Sequence, residues 1–557
     1  LVLPLSFFLA SLASAASFPN ENQRLVEASR LWVTVEYFHP SVAHGSIDWE
    51  AAFVAAIPKI RSAATQAEYA AAISAMLSAV HDPSTCVLSG PFGPATTFKD
   101  ETTQRSVAQT AFQTSLLIDP IDHFPETITL DLSGIKVMVR LSEPESSIPV
   151  PPASAPQQFN DPYPSTEGRL LAAAKTWGAI RYFFAYKDLM DDDWDDLFAA
   201  ALPKFIAAKD ALGYNLTLAD LLTHLTDSQT VAHSRTLDQY FGEAPVGLRL
   251  RMLDKHPVIV SVLDPAATAA GIQPGDIVKR VDGESIVDRF NKQVAYVDAS
   301  TPQRSSFDTL QRILNGPAGS KVTLTIETPS GETKTATLDR SSSYQSAPQR
   351  TSEPVQLLSN DIGYLDLDRL SPSEALAAMG RLHECKGLIL DLRGKSIAAQ
   401  TIAARLASQP ETPAAIITTP LALHPDVATP GIATQTASTF LVQTLTSAGV
   451  PGFKGKTVAL IDERTIGDSE QAGLLFEAAN KTEFIGSPSA GANSELASFS
   501  LPGGITVSYS ARDIRHANGG KLQRLGLQPN GAAPETAKSI HDGKDAPLEA
   551  ARVYLSR

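Results

Sequence analysis

One internal duplication constrains this chain more than any other feature. Trp32, Tyr37, Phe38, Trp49, Pro58, Asp82 and Thr85 recur at a constant offset of 145 residues as Trp177, Tyr182, Phe183, Trp194, Pro203, Asp227 and Thr230. All four tryptophans of the sequence take part. A shared offset across rare residue types marks two copies of one structural unit. Each copy carries apolar residues at helical spacing, as in RLVEASRLWVTVEYF and GRLLAAAKTWGAIRYFF, so two helical repeat domains are expected. Their aromatic residues read as core rather than as a cofactor or carbohydrate box.

The 557 residues exceed what the two copies need and correspond to three or four domains. With 43% hydrophobic and 19% charged residues, the composition is that of a folded globular chain. A net charge of -14 gives no basic footprint, so nucleic acid is not an expected partner. The opening run LVLPLSFFLASLASA ends in a small-residue pattern, which predicts a signal peptide over 1–15 and a periplasmic or secreted protein. No later stretch reaches the ~20 apolar residues of a membrane span. Cys86 and Cys385 lack zinc or redox spacing; a bridge between them stays open, and no metal or cofactor is implied.

The first helical repeat domain, with strands in ITLDLSGIKVMVRL, is placed at 16–141, a Pro-rich linker at 142–165 and the second repeat domain at 166–240. The acidic group Asp191–Asp196 is expected to start a helix, where carboxylates meet the positive end of the macrodipole. Residues 241–342 change to short strands and turns. With Gly271-Ile272-Gln273-Pro274-Gly275-Asp276 before a strand that leads to Asp282-Gly283, this stretch resembles a PDZ domain. The resemblance implies that a polypeptide adds as a strand, with its terminal carboxylate held on backbone N–H groups near Gly247 and Leu248.

From 355 to 557, strands alternate with helices in IGYLDLD, SPSEALAAMGRLHE, KGLILDLRG, TVALIDE and SEQAGLLFEAAN, which predicts an α/β fold with a mainly parallel sheet. The order of parts, with GSPSAGANSE, LPGGITVSYSARDIR and GLQPN, resembles the carboxyl-terminal processing, or tail-specific, serine peptidases and their tricorn-core relatives. That likeness implies a multidomain α/β chain whose peptidase core is of the ClpP/crotonase-like type. It also implies a polypeptide substrate or ligand, including one with a free C-terminus.

In that family the nucleophile sits within T-A-S-A-S-E, and the matching residues here are Thr465-Ile466-Gly467-Asp468-Ser469-Glu470. The nucleophile position is Gly467, which has no side chain to attack a carbonyl. Ser469 lies about 200° further round the helix, away from the usual line of attack. Asp468 is expected to cap the helix, with Gln471 returning the bond. The family's two base positions hold Ala492 in one case and Ser84 or Gln229 in the other, none of them a base near neutral pH. His81, His224, His233 and His516 are the imidazoles close to these segments. The D-L-R-G turn, Asp391-Leu392-Arg393-Gly394, persists, and the resemblance implies oxyanion donors at the backbone N–H groups of Gly394 and Asp468. The candidate catalytic set is therefore Ser469, Gly467, Asp468, Gly394 and Glu470.

Three readings follow. The first is an exported peptidase homologue that binds polypeptide segments or C-termini, with hydrolysis weak or lost. The second is an active serine endopeptidase that uses Ser469. The third is an adaptor that binds a partner through the helical repeats.

Overall fold

The computed structural model describes residues 18–43, 47–88, 114–117, 126–141, 161–345, 350, 352–422, 425, 437–449 and 453–557. The expected signal peptide and most of the expected Pro-rich linker lie outside the described residues. Two compact units are present. The first contains 18–43, 47–88 and 126–141, and the second contains 114–117, 161–345, 352–422, 437–449 and 453–557. No helix among the described residues is long and apolar enough to cross a membrane.

In the first unit, helices Glu21–Phe38, Trp49–Ser62 and Gln66–Leu77 start at Asn20, Asp48 and Thr65, whose side chains each accept a hydrogen bond from a first-turn backbone N–H. The indole of Trp32 donates to the carbonyl of Trp49 at 3.1 Å, and that of Trp49 donates to the carbonyl of Trp32 at 3.0 Å. The buried guanidinium of Arg24 donates to the carbonyls of Pro19, Ile60 and Arg61, satisfying the end of one helix from the start of another. Strand Cys86–Val87 pairs with Ile135–Arg140, which also forms a hairpin with Thr127–Leu132.

The second unit contains the other copy of the repeat, in helices Thr166–Phe183, Trp194–Ala207 and Ala211–Thr223. Arg169 repeats the clamp on the carbonyls of Pro164, Phe205 and Ile206. Asp193 caps the helix at Trp194 by accepting from the N–H groups of Asp195 and Asp196, so the acidic run is a helix start. After the turn 227–230, strand Val231–His233 leaves the helices and joins a sheet made by Leu496–Leu501 and Ile505–Ser510. That pairing carries the turn into the C-terminal core.

Over 248–339, the main strands run in the order Thr333–Asp339, Lys321–Glu327, Ile277–Val281, His256–Val262, Leu248–Leu253, with helices Ile286–Val294 and Pro302–Arg312. Leu248–Leu253 is the edge strand, and Val246, Leu248, Leu250, Leu310 and Leu314 share the core of this region.

The C-terminal core is built on a six-stranded sheet in the order Val355–Leu358, Ile362–Asp366, Gly387–Asp391, Lys456–Ile461, Glu483–Gly486, Gly531–Ala532. All its pairs are parallel except the first. Gly387–Asp391 is buried at every position, and Lys456–Ile461 at all but its first, as strands covered on both faces must be. A second sheet runs Thr114–Leu117, Ala437–Thr446, Glu411–Leu421, Asp513–His516.

Candidate active site

Strand Lys456–Ile461 passes through the loop 462–467 into helix Asp468–Asn480. Gly467 stands at the junction with φ +55° and ψ −117°, a conformation that costs side-chain-bearing residues about 1–3 kcal/mol. Its N–H donates to the carbonyl of Ala492 at 2.9 Å, which ties the junction to the 489–493 turn. A Cβ placed on Gly467 would stand 3.0 Å from Nε2 of Gln229. The two positions read separately from sequence, one for a nucleophile and one for its base, thus face each other, and they hold a glycine and an amide.

The Gln229 turn is held from several sides. The fully buried Asp227 carboxylate accepts from the backbone N–H of Gln229 at 3.3 Å, from Nε2 of Gln523 at 3.0 Å and from the hydroxyl of Thr230 at 2.8 Å. Ser228 and Ser300 exchange backbone-to-hydroxyl bonds at 2.9 and 2.8 Å. The backbone N–H of Asp227 donates to Asp298, whose carboxyl is pushed up by burial first and by the Asp227 charge second. Sequence reading missed Ser300, Gln523 and Asp298. Each belongs to an ordinary polar loop, and only the sequence-distant turn 227–230 gives it a role.

Ser469 is 1% exposed, and its hydroxyl donates to the carbonyl of Gly394 and lies 3.1 Å from Oγ of Ser396. It turns into the Asp391–Ser396 loop instead of toward Gln229. Gly394 receives that bond, while its own N–H donates to the carbonyl of Leu392 at 2.9 Å. The donor that the resemblance assigns to an oxyanion is therefore engaged locally. Arg393 fixes this loop through ion pairs of 2.7 Å to Asp391 and to Asp545, and the paired guanidinium groups hold the Asp391 carboxyl far below the usual carboxylate range.

The expected cap by Asp468 does not form. Gly467 is the N-cap and Asp468 is the first helical residue, exposed, with its N–H among the donors that a helix start leaves without an internal acceptor. The Gln471 side chain is drawn away to Gln443 and to Asn493, whose Nδ2 donates to it at 2.9 Å, so no return bond reaches the cap. Glu470 is fully buried. It accepts from the hydroxyl of Ser489 and from the N–H groups of Gly491 and Ala492 at 2.8 and 2.9 Å. Desolvation outweighs those bonds and pushes its carboxyl up to about 7. Glu470 thus moors the 489–492 turn, which contains the buried Ala492 that the resemblance aligns with a base position.

The histidines of the second unit named above are paired elsewhere or exposed. His224 bonds Asp192 at 2.8 Å, His516 bonds Glu477 at 3.0 Å, and His233 lies exposed on the strand opposite Thr506. His81 belongs to the first unit. Near the other candidate contact, Gly247 leaves no room for a side chain, because a Cβ would stand 2.7 Å from the backbone nitrogen of Asp264. Its carbonyl accepts from the N–H groups of Leu263 and Asp264, and the N–H of Leu248 donates to the carbonyl of Val246 at 2.8 Å.

Residues 361–532 match the sequence profile of peptidase family S41. No curated protein matches the sequence. Among solved structures, mature CPAF complexed with lactacystin is similar at a TM-score of 0.53 with 13% identity, over 70% of this chain and 98% of that one. Mature CPAF alone gives 0.52 with 14% identity, over 70% and 97%. The photosystem II D1 C-terminal processing protease gives 0.42 with 18% identity, over 70% and 97%. The CPAF likeness extends the shared fold well beyond the profile match. The chain therefore carries, over residues 361–532, a domain that matches peptidase family S41.

Proposed function

We propose that this chain is an exported S41-fold protein that binds polypeptide segments or C-termini and whose hydrolytic activity is lost or weak. The observation that carries the reading is Gly467 opposite Gln229: neither a nucleophilic oxygen nor a proton acceptor occupies the junction. Ser469 does not replace the oxygen, since its hydroxyl is buried against Gly394. Misplacement of a reacting group by even about 1 Å costs on the order of a hundredfold in rate.

Polypeptide binding is assigned to the PDZ-like stretch 241–342. A small recess lies between edge strand Leu248–Leu253 and helix Pro302–Arg312, where Arg249, Gln311 and Asn315 border the buried Val246, Leu248, Leu310 and Leu314. Because the Leu248 N–H is already bonded, capture of a carboxylate requires this loop to open. A peptide acid is expected to bind more tightly than its amide; equal affinities would refute carboxylate capture. Export belongs to the same proposal and predicts a mature N-terminus at Ala16, read by mass spectrometry.

The test of hydrolysis compares casein and peptide turnover by the chain from Ala16 with turnover by Ser469→Ala, Gly467→Ser and Gly467→Ser/Gln229→His. No turnover is expected from the parent or from Ser469→Ala. The double variant restores a hydroxyl facing an imidazole and is expected to gain measurable cleavage over Gly467→Ser alone. Cleavage by the parent that is lost in Ser469→Ala would overturn the proposal in favour of a displaced nucleophile.

A further inference from the structure

The Gly247 loop is covered by the chain's own residues 341–345. Strand Thr333–Asp339 is followed by Arg340, whose buried guanidinium donates to the carbonyl of Leu314 at 2.9 Å and to that of Lys321 at 3.1 Å. Beyond this anchor the chain turns back over residues 243–249 in a single helical turn, Ser342–Tyr344. The hydroxyl of Ser341 caps that turn by accepting from the N–H of Ser343 at 3.3 Å.

Polar bonds hold this strap down. The N–H of Ser341 donates to the carbonyl of Pro245 at 2.9 Å, the guanidinium of Arg249 donates to the carbonyl of Tyr344, and Nε2 of Gln345 donates to the carbonyl of Glu243 at 2.6 Å. Between them the ring of Tyr344 lies against Gly247, since a Cβ placed on Gly247 would stand 2.9 Å from Cζ of that ring. The Tyr344 hydroxyl lies beside the Asp264 carboxylate.

The two ends of the strap are held unequally. Arg340 is buried, whereas Ser342, Ser343 and Gln345 are exposed and Tyr344 is half-buried. Hydrogen bonds at a surface exchange readily for bonds to water, so the far end can lift while the Arg340 end stays fixed. The neighbouring recess is closed in the same state: Nε2 of Gln311 donates at 3.2 Å to the carbonyl of Leu250 on the edge strand, an acceptor that an added peptide strand would need.

We propose that residues 341–345 form an autoinhibitory strap with Tyr344 as its plug: with the ring on Gly247 the loop is shut to a polypeptide C-terminus, and lifting the strap opens it. The inference rests on the polypeptide-binding reading above and names the element that must move before the Gly247 loop can take a carboxylate. A protein whose competent state is a minor fraction binds with an affinity reduced by that fraction.

The test uses the full chain and fluorescein-labelled casein as an unfolded polypeptide, with affinity read by anisotropy. Tyr344→Ala removes the plug and is expected to tighten binding about tenfold, while Tyr344→Phe keeps the ring and is expected to bind as the parent does. Without casein, hydrogen exchange at 245–249 is expected to quicken in Tyr344→Ala alone. Equal affinity of the parent and a Tyr344→Ala chain with the parent's circular dichroism would overturn the strap and leave polypeptide binding standing. Tightening shared in full by Tyr344→Phe would also overturn it, because the ring would then not be the plug. Should Tyr344→Ala not fold, Gln345→Ala, an exposed change that removes only the bond to Glu243, decides by the same titration: a gain of about threefold is expected, and no gain is the opposing result. Absence of binding by all of these proteins would overturn the polypeptide reading and the strap with it.

Discussion

The two copies of the repeat end in the same turn and use it differently. In the first unit, Asp82 accepts from the N–H of Ser84 at 2.8 Å; Nε2 of the buried His39 stands 3.2 Å away and Arg140 3.5 Å, and the following strand Cys86–Val87 pairs with the unit's own Ile135–Arg140. In the second unit, Asp227 holds the equivalent bond to Gln229, but Val231–His233 pairs with Ile505–Ser510 of the peptidase core. His39 and Phe184 occupy matching places, and both are fully buried. A turn closed by the same pair of backbone N–H bonds to its aspartate becomes part of a site only through the strand that follows it. Duplication copies the turn, and the partner of the next strand decides which copy meets Gly467.

The sharpest way to break this comparison is to remove each aspartate. Asp227→Ala takes the carboxylate acceptor away from donors on Gln523, Thr230 and Gln229 and is expected to cost about 3 kcal/mol in urea denaturation, against about 1 kcal/mol for Asp82→Ala. Equal losses would mean that the second turn is no more deeply built in than the first. Gly467→Ala adds a Cβ in a strained backbone region, 3.0 Å from Gln229, and should destabilise by about 2 kcal/mol; trimming the neighbour in Gly467→Ala/Gln229→Ala should return part of it. If the double variant gains nothing, the amide does not press on that position.

Two pH experiments separate the units further. Glu470 has its carboxyl raised to about 7, so its native state binds more protons than the unfolded chain between about 4.5 and 7, and stability should fall as pH rises through that window. Thermal unfolding of Glu470→Gln should lose this dependence. His39 has the opposite sign. Burial lowers its pKa despite Asp82, so the unfolded chain takes up the proton first and the first unit loses stability as pH falls below about 6.5. His39→Phe, which makes the first copy match Phe184, should flatten that slope. A slope that survives the substitution would assign it to another group.

Much of the framework was legible because it is local or periodic. The offset of 145 residues found both tryptophan pairs, and the alternation of strands and helices after residue 355 announced the largely parallel sheet. The arginine clamps escaped notice: Arg24 and Arg169 obey the same offset, yet a lone arginine on an amphipathic helix reads as a solvated charge. At the site, Gly467 and Gln229 could each be read from a motif, but their meeting depends on strand pairing that no local pattern encodes. The same limit applies to hydrogen bonds. The motif around Gly394 suggested a free donor, while its N–H is closed onto Leu392, and the expected Asp468 cap yields to Gly467 because Gln471 is drawn to Gln443 and Asn493.

The backbone at Gly467 has one more consequence. Reagents that acylate or phosphonylate an activated serine find no oxygen there, so labelling surveys that count active serine hydrolases would leave this protein dark even when its groove is filled. Under the proposed loss of hydrolysis, a bound polypeptide would leave with its covalent structure intact. Its residence would then follow concentration and dissociation rate alone, the behaviour of a receptor instead of a catalyst.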